Sequence, residues 1–508
     1  MKKIARILLS KLFLLGVIAA IQLALIIYIV LSFSQKGIFS YITLTLISAL
    51  IALGLIQNDK INSAYKNIWL FIIVALPITG FILYIIWGKH NNIPNLKKIK
   101  QIDINTDVTQ IYTNEKFDLQ NETAKKLSYY LENFIHAPIV SNCEVEYLNA
   151  GKIYFQTLKD ELLKAHTYIY MEFFIISKSK LWNEISEILC EKARAGVDVR
   201  IMYDGVGSML SFDFNKLKYL KSSGVKIKAF NPLKIFISLA GYRIINFRDH
   251  RKICVIDGNT AFSGGVNIGD EYTNTISRFG YWKDNGFMIK GKGALTYTAI
   301  FLKNWQLITR NKESITDYVT DINYESDIKL QTYWDSPVDY VDISEVVFRS
   351  IINGAKNYIY LTTPYLIIDN TLISTLSIAA ESGVKVKIIV PGIPDKKIVN
   401  LITKSYYRTL IEAGVEIYEY TPGFIHSKMY ISDDYITLIG TANTDYRSLY
   451  LNYENGTIFY SKDFAQKIRH DFETTLLSCK KIKIKDILST SILTRALQKI
   501  LRIFAPLF

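Results

Sequence analysis

The chain has 508 residues, half of them hydrophobic, with a net charge of +14 and a mean hydropathy of +0.15. That length suggests two to four domains, and the charge suits an anionic partner, either nucleic acid or an anionic lipid surface. The four scattered cysteines (Cys143, Cys190, Cys254 and Cys479) show no CxxC or Cys/His ligand spacing, which excludes a disulfide framework and a zinc site; neither a GxxxxGK[ST] loop nor an HExxH occurs.

The first eleven residues carry Lys2, Lys3, Arg6 and Lys11. Apolar runs then cover 12–33, about 38–56 and about 68–88. A helix needs about 20 apolar residues to cross a bilayer core, so each run qualifies by length. Thr43, Thr45 and Ser48 weaken the second, and Trp69, Tyr84 and Trp87 sit at the ends of the third, where interfacial aromatics belong. The first run is too long for a cleaved signal peptide and no small-x-small site follows it. Residues 1–90 are therefore predicted as a transmembrane region of two or three helices, and 91–124 as a linker. The early positive charges favour a cytoplasmic N-terminus, whereas Lys89, Lys97, Lys98 and Lys100 argue that the chain after the third run is also inside. Three spans do not satisfy both; we expect the catalytic part on the cytoplasmic face of the cell membrane.

From about residue 145 the chain repeats itself. Lys164-Ala165-His166-Thr167-Tyr168-Ile169-Tyr170 answers Gly354-Ala355-Lys356-Asn357-Tyr358-Ile359-Tyr360. Ala195-Gly196-Val197 answers Ser382-Gly383-Val384, and Ser223-Gly224-Val225 answers Ala413-Gly414-Val415; in each, glycine ends a helix and an alternating strand begins. Helix–strand alternation predicts an α/β fold in each half, over 125–322 and 323–482. Copy one carries extra apolar residues around Phe236–Ile245, read as a long loop or a segment that meets lipid. Residues 483–508 end in Leu493, Leu497, Ile500, Leu501 and Ile503 interleaved with Arg495, Lys499 and Arg502. This C-terminal amphipathic segment suits a membrane interface, or equally a helix packed on the domain.

The strongest signal lies inside the repeat. His250-Arg251-Lys252 is followed by Asp257, and His426-Ser427-Lys428 by Asp433 at the same spacing. Gly264-Gly265-Val266-Asn267 and Gly440-Thr441-Ala442-Asn443 then follow at equal distance. The chain has six histidines, and two hold equivalent places here. In a strand, residues i and i+2 share a face, so each histidine points with its lysine. An imidazole can attack phosphorus or pass a proton near neutral pH, and an ammonium neutralises phosphoryl oxygens. Two such pairs facing each other suffice for displacement at a phosphodiester without a metal or other cofactor. Asp257 and Asp433 are read both as members of this catalytic set and as turn residues, since each is followed by Gly258 or Asp434 at a hairpin end. Asp284 and Glu454 are candidates to orient the imidazoles. Asn267 and Asn443 are candidates to touch phosphate or to fix the turn, with Ser263 and Thr441 weaker.

The pattern His-x-Lys-x4-Asp-x6-Gly-Gly/Thr-x-Asn, present twice, resembles the phospholipase D superfamily. Met171-Glu172-Phe173-Phe174-Ile175-Ile176, Tyr203-Asp204-Gly205-Val206-Gly207-Ser208, Asn246-Phe247-Arg248-Asp249-His250, Thr362-Thr363-Pro364-Tyr365 and Gly440–Ser448 resemble bacterial cardiolipin synthases within it. The resemblance covers residue 65 to the end, and a third leading span departs from the more usual two. It implies two repeated phospholipase D-like α/β domains in a pseudo-two-fold sandwich after N-terminal transmembrane helices. It also implies condensation of two phosphatidylglycerol molecules to cardiolipin and glycerol through a phosphatidyl-histidine. His250 would be the nucleophile, His426 the acid and then base, and Lys252 and Lys428 the phosphate grip. The expected partners are phosphatidylglycerol and anionic membrane lipid, with no nucleic acid. A hydrolytic phospholipase D releasing phosphatidic acid, a nuclease of the superfamily and a non-enzymatic scaffold are the alternatives.

Overall fold

The computed structural model describes residues 35–57, 62–84, 117–232, 246–320, 324–339 and 341–507, with a few isolated positions beside them. It divides into two compact units. Among the described residues the smaller contains three helices: Gln35–Ile56, Ser63–Ala75 and Pro77–Leu83. Asn62 caps the second by accepting from the Ala64 amide. Among the described residues no helix is long and apolar enough to cross a membrane. The first apolar run lies almost wholly outside the described residues. The second is helical but carries Thr43, Thr45 and Ser48. The third is not the single helix expected from its hydropathy. Pro77 forces Leu76 out of the helical region, to φ −133° and ψ 71°, and separates a helix of 13 residues, Ser63–Ala75, from one of 7, Pro77–Leu83. Trp69 is buried against the edge of Tyr84, ring centroids 5.5 Å apart, rather than presented at the helix surface. The segment around Phe236–Ile245 lies outside the described residues.

The larger unit contains the repeat. Copy one supplies β1 (Ile139–Val140), β2 (Cys143–Leu148), β3 (Tyr168–Phe173), β4 (Asp198–Asp204), β5 (Lys226–Phe230), β6 (Arg248–Asp249), β7 (Lys252–Ile256), β8 (Thr260–Gly264), β9 (Tyr281–Lys283) and β10 (Gly286–Gly291). Copy two supplies β11 (Lys329–Asp335), β12 (Tyr358–Thr362), β13 (Leu366–Ile367), β14 (Lys385–Pro391), β15 (Glu416–Tyr420), β16 (Gly423–Ile425), β17 (Met429–Ser432), β18 (Ile436–Gly440), β19 (Thr444–Asp445), β20 (Asn452–Tyr460) and β21 (Cys479–Lys481). The first sheet runs β2-β10-β8-β7-β3-β4-β5. The second runs β11-β20-β18-β17-β12-β14-β15, the same order position for position, with β1 and β21 added at its two edges.

Each sheet is mixed. β3, β4 and β5 are parallel, as are β12, β14 and β15, and the other neighbours along these two orders are antiparallel. The parallel strands need crossover helices, which are Lys180–Arg194 and Lys216–Ser222 in copy one and Asn370–Glu381 and Lys397–Glu412 in copy two. Ser179 and Asp369 cap the first of each set. All four helices are followed by a glycine at φ 94–97°, the left-handed closure expected at Gly196, Gly224, Gly383 and Gly414. Helices on the sheet faces leave β3 and β12 buried at every residue, which explains their unbroken apolar runs. Phe287 of β10 packs on Phe459 of β20 with centroids 5.1 Å apart, so the two copies share an aromatic seam.

Candidate active site

The two histidines lie just before the central strands β7 and β17, and strand pairs that cross between the copies hold them. β6, which ends one residue before His250, pairs in parallel with the start of β20, Asp249 opposite Tyr453. β16, which ends one residue before His426, pairs in parallel with β9, Ile425 opposite Lys283. The His250 amide donates to the Tyr453 carbonyl at 3.0 Å and the His426 amide to the Lys283 carbonyl at 2.7 Å. One step further along each register, Glu454 of copy two meets His250 and Asp284 of copy one meets His426. Nδ1 of His250 lies 2.9 Å from Glu454 Oε1, and Nδ1 of His426 lies 2.7 Å from Asp284 Oδ2. Neither half completes its own site, because each imidazole is oriented by a carboxylate from the other copy.

The electrostatics follow from burial. Both histidines are 7% exposed and both carboxylates 0%. Desolvation pushes His250 down to about 4 and His426 down to about 3, against the opposing pull of their carboxylates. Burial alone would raise Glu454, but the adjoining His250 and Lys252 hold it down at about 2, and His426 similarly lowers Asp284. At neutral pH each carboxylate is therefore ionised and each imidazole neutral. Nδ1 is then the protonated nitrogen, donating to the carboxylate, and Nε2 keeps its lone pair. Lys252 is pushed down to about 7 and Lys428 to about 8, first by burial; Glu454 and Asp284 respectively resist this. The field of each lysine reaches both histidines, and that of Lys428 reaches Lys252. The two buried lysines are thus balanced by the two buried carboxylates.

Each lysine reaches back to the carbonyl of its own histidine, Lys252 to His250 and Lys428 to His426. Aromatic rings line the imidazoles: Phe174 beside His250 at 4.9 Å, and Tyr272 and Trp282 beside His426 at 5.7 and 5.3 Å. Asp257 and Asp433 stand apart from this group, at the far ends of β7 and β17. They adopt φ 51° and 50° in tight turns closed by Asn259 to Ile256 and Tyr435 to Ser432. Asp257 accepts from the amides of His166, Thr167 and Tyr168 at 2.7–2.8 Å. Asp433 accepts from Lys356, Asn357 and Tyr358 at 2.7–2.9 Å. Their inclusion with the catalytic residues is corrected: a spacing of seven residues carries the carboxylate past the strand, to a turn that pins the start of β3 or β12.

Asn267 braces a loop, accepting from the Ile175 amide at 3.1 Å and donating to the Tyr272 hydroxyl at 2.9 Å. Asn443 donates to Asp445 at 3.1 Å, and its Oδ1 is buried without a partner among the described residues. Ser263 donates to the Lys252 carbonyl at 2.9 Å, and Thr441 donates to Glu454 Oε2 at 2.5 Å. Sequence reasoning left the crossed pairing unread. Its one sequence signal was the repeated acid-Asn-Gly of Asp284-Asn285-Gly286 and Glu454-Asn455-Gly456. It also missed Arg251, which donates to the Glu454 and Asp335 carbonyls at 3.1 Å each and lies 3.6 Å from Glu172.

Comparison with known proteins agrees with this geometry. A family profile described as cardiolipin synthase, PLD-like domain, matches residues 158–305 and again 348–476. A second, described as phospholipase D-nuclease N-terminal, matches 43–89. A cardiolipin synthase of Halalkalibacterium halodurans is 33% identical, with 94% of this chain and 96% of that one aligned. An uncharacterised protein of Streptococcus mutans is 38% identical over 89% of this chain and 98% of its own. The crystal structure of phosphatidylserine synthase from Haemophilus influenzae shares the fold, with TM-score 0.56 at 16% identity over 76% of this chain and 98% of that one. With both copies matched and near-full-length relatives above 30% identity, the chain belongs to the cardiolipin synthase family of phospholipase D-like enzymes.

Proposed function

We propose that the chain is a membrane phosphatidyltransferase that condenses two phosphatidylglycerol molecules into cardiolipin and glycerol. The observation that carries this is the crossed pair of buried imidazole–carboxylate units, each accompanied by the lysine two residues further on. A phosphodiester entering the site adds a further negative charge, which keeps Lys252 and Lys428 protonated and raises the affinity of a histidine for a proton. His250 Nε2 then attacks phosphorus, and the bond from phosphorus to the glycerol oxygen breaks. Protonated His426 gives its proton to the departing glycerol. The terminal hydroxyl of a second phosphatidylglycerol next attacks the phosphatidyl-histidine, His426 takes the hydroxyl proton, and His250 is released. Glu454 and Asp284 hold the rings in one tautomer throughout.

Residues 1–90 anchor the chain in this account. Helix Gln35–Ile56 exposes Ile42, Leu46, Leu50 and Leu53, side chains suited to hydrocarbon, and the matched N-terminal profile covers most of it. Labelling of single introduced cysteines by an impermeant thiol reagent counts the crossings.

Purified protein in phosphatidylglycerol vesicles, without metal or nucleotide, is expected to give cardiolipin and glycerol in equal amounts. Phosphatidic acid as the sole product would overturn the transferase reading in favour of a hydrolase.

A further inference from the structure

The last long helix, Ile492–Ile503, is docked on the larger unit by its polar side. Arg502 lies over the Tyr406 ring, 4.3 Å from its centroid, and donates to the Ser405 carbonyl at 3.3 Å. Gln498 on the same side is buried. The opposite side carries Ile492, Leu493, Leu497, Ile500 and Ile503, all exposed, with Leu493 at 83%. Their spacing marks one helix face. A helix recruited only to complete a core would turn that face inward; here the polarity is reversed.

Charge identifies the occupant. Residues 479–503 carry seven basic side chains (Lys480, Lys481, Lys483, Lys485, Arg495, Lys499 and Arg502) against one carboxylate, Asp486. Lys480 lies 3.3 Å from Asp486 and Lys481 pairs with Glu416, while Lys483, Lys485 and Lys499 are exposed. An apolar helix face that carries Lys499, in a segment with further exposed lysines, fits a leaflet of anionic lipid, which offers hydrocarbon and counter-charge together. We propose that the outward face of helix Ile492–Ile503, with Lys483, Lys485 and Lys499, seats the larger unit on an anionic bilayer surface, a contact additional to residues 1–90. The inference rests on the reading of the substrate as membrane lipid.

The test uses the full chain with Cys479→Ser, since Cys143, Cys190 and Cys254 are buried. Leu493→Cys, Leu497→Cys and Ile500→Cys each receive a nitroxide, and the chain is reconstituted into vesicles of phosphatidylcholine with or without phosphatidylglycerol. In the anionic vesicles, oxygen accessibility is expected to exceed that of an aqueous nickel chelate several-fold. The ratio should fall with added salt and in the triple variant Lys483→Glu, Lys485→Glu, Lys499→Glu. Labels equally open to nickel in both vesicles would overturn the proposal, as would protection that grows with protein density at fixed lipid, the mark of a second copy. Cardiolipin formation in the same vesicles separates the two readings. Turnover with the labels in water would sink only this surface, and immersed labels without turnover would sink only the transferase.

Discussion

The two copies of the repeat share a strand order and differ around their histidines. In copy one, Arg251 approaches Glu172, which accepts from Asn304 at 2.6 Å. In copy two the matching positions are Ser427 and Thr362, joined by a neutral hydrogen bond of 2.8 Å. Thr441 supports Glu454 behind His250. Its counterpart Gly265 lacks a side chain because a methyl there would collide with the Asp284 carboxylate behind His426. Duplication kept the geometry that sets each imidazole against a carboxylate of the other copy and let their supports diverge. Divergent supports are what two histidines need if one is to attack and the other to move protons.

The comparison can be broken most forcefully at the histidines. His250→Ala and His426→Ala should each lower transfer by about 10⁴-fold or more; near-complete activity in either would end the paired mechanism. Glu454→Gln and Asp284→Asn come next, with losses of about 10³-fold, because each amide ceases to fix its ring tautomer. The crossed pairing requires Glu454→Gln to impair the same half-reaction as His250→Ala, which exchange of labelled glycerol into phosphatidylglycerol reads directly.

The pH profile sharpens the comparison. Lys252 must be charged to hold phosphate, and at about 7 its charge is present below that pH and lost above it. His250 must be neutral to attack, and at about 4 that form is lost as pH falls. His426 must also carry a proton, which the bound phosphodiester favours, so the limbs belong to the loaded enzyme. There kcat should fall on both sides of a window shifted above these two values. Glu454→Gln should move the alkaline limb down, because Glu454 is the main charge keeping Lys252 protonated; an unmoved limb would assign it to another group. The smallest effect on turnover belongs to the turn acids. Asp257→Ala and Asp433→Ala should leave kcat within about threefold, while each costs about 2–4 kcal/mol in denaturant unfolding through three orphaned amides.

The repeat and its two His-x-Lys pairs were legible because period, glycine punctuation and residue spacing are local. Asp257 and Asp433 were half-legible: the hairpin turn shows in Asp257-Gly258, but only the structure reveals the three amides each carboxylate engages. The exchange of Glu454 and Asp284 between copies was not legible, because a parallel pairing of β6 with β20 joins residues about 200 positions apart. Hydropathy averaged over 68–88 hid the break that Pro77 makes.

The central claim is that one imidazole becomes covalently phosphorylated while its crossed partner handles the protons. Quenching the enzyme with labelled phosphatidylglycerol during turnover, at high pH to preserve phosphoramidate, and locating the label by peptide mass tests this directly. The account predicts a phosphatidyl adduct on the peptide containing His250, absent from His250→Ala and strongly diminished in His426→Ala, because the departing glycerol needs the His426 proton. Label found on neither histidine, or turnover with no adduct at all, would contradict it.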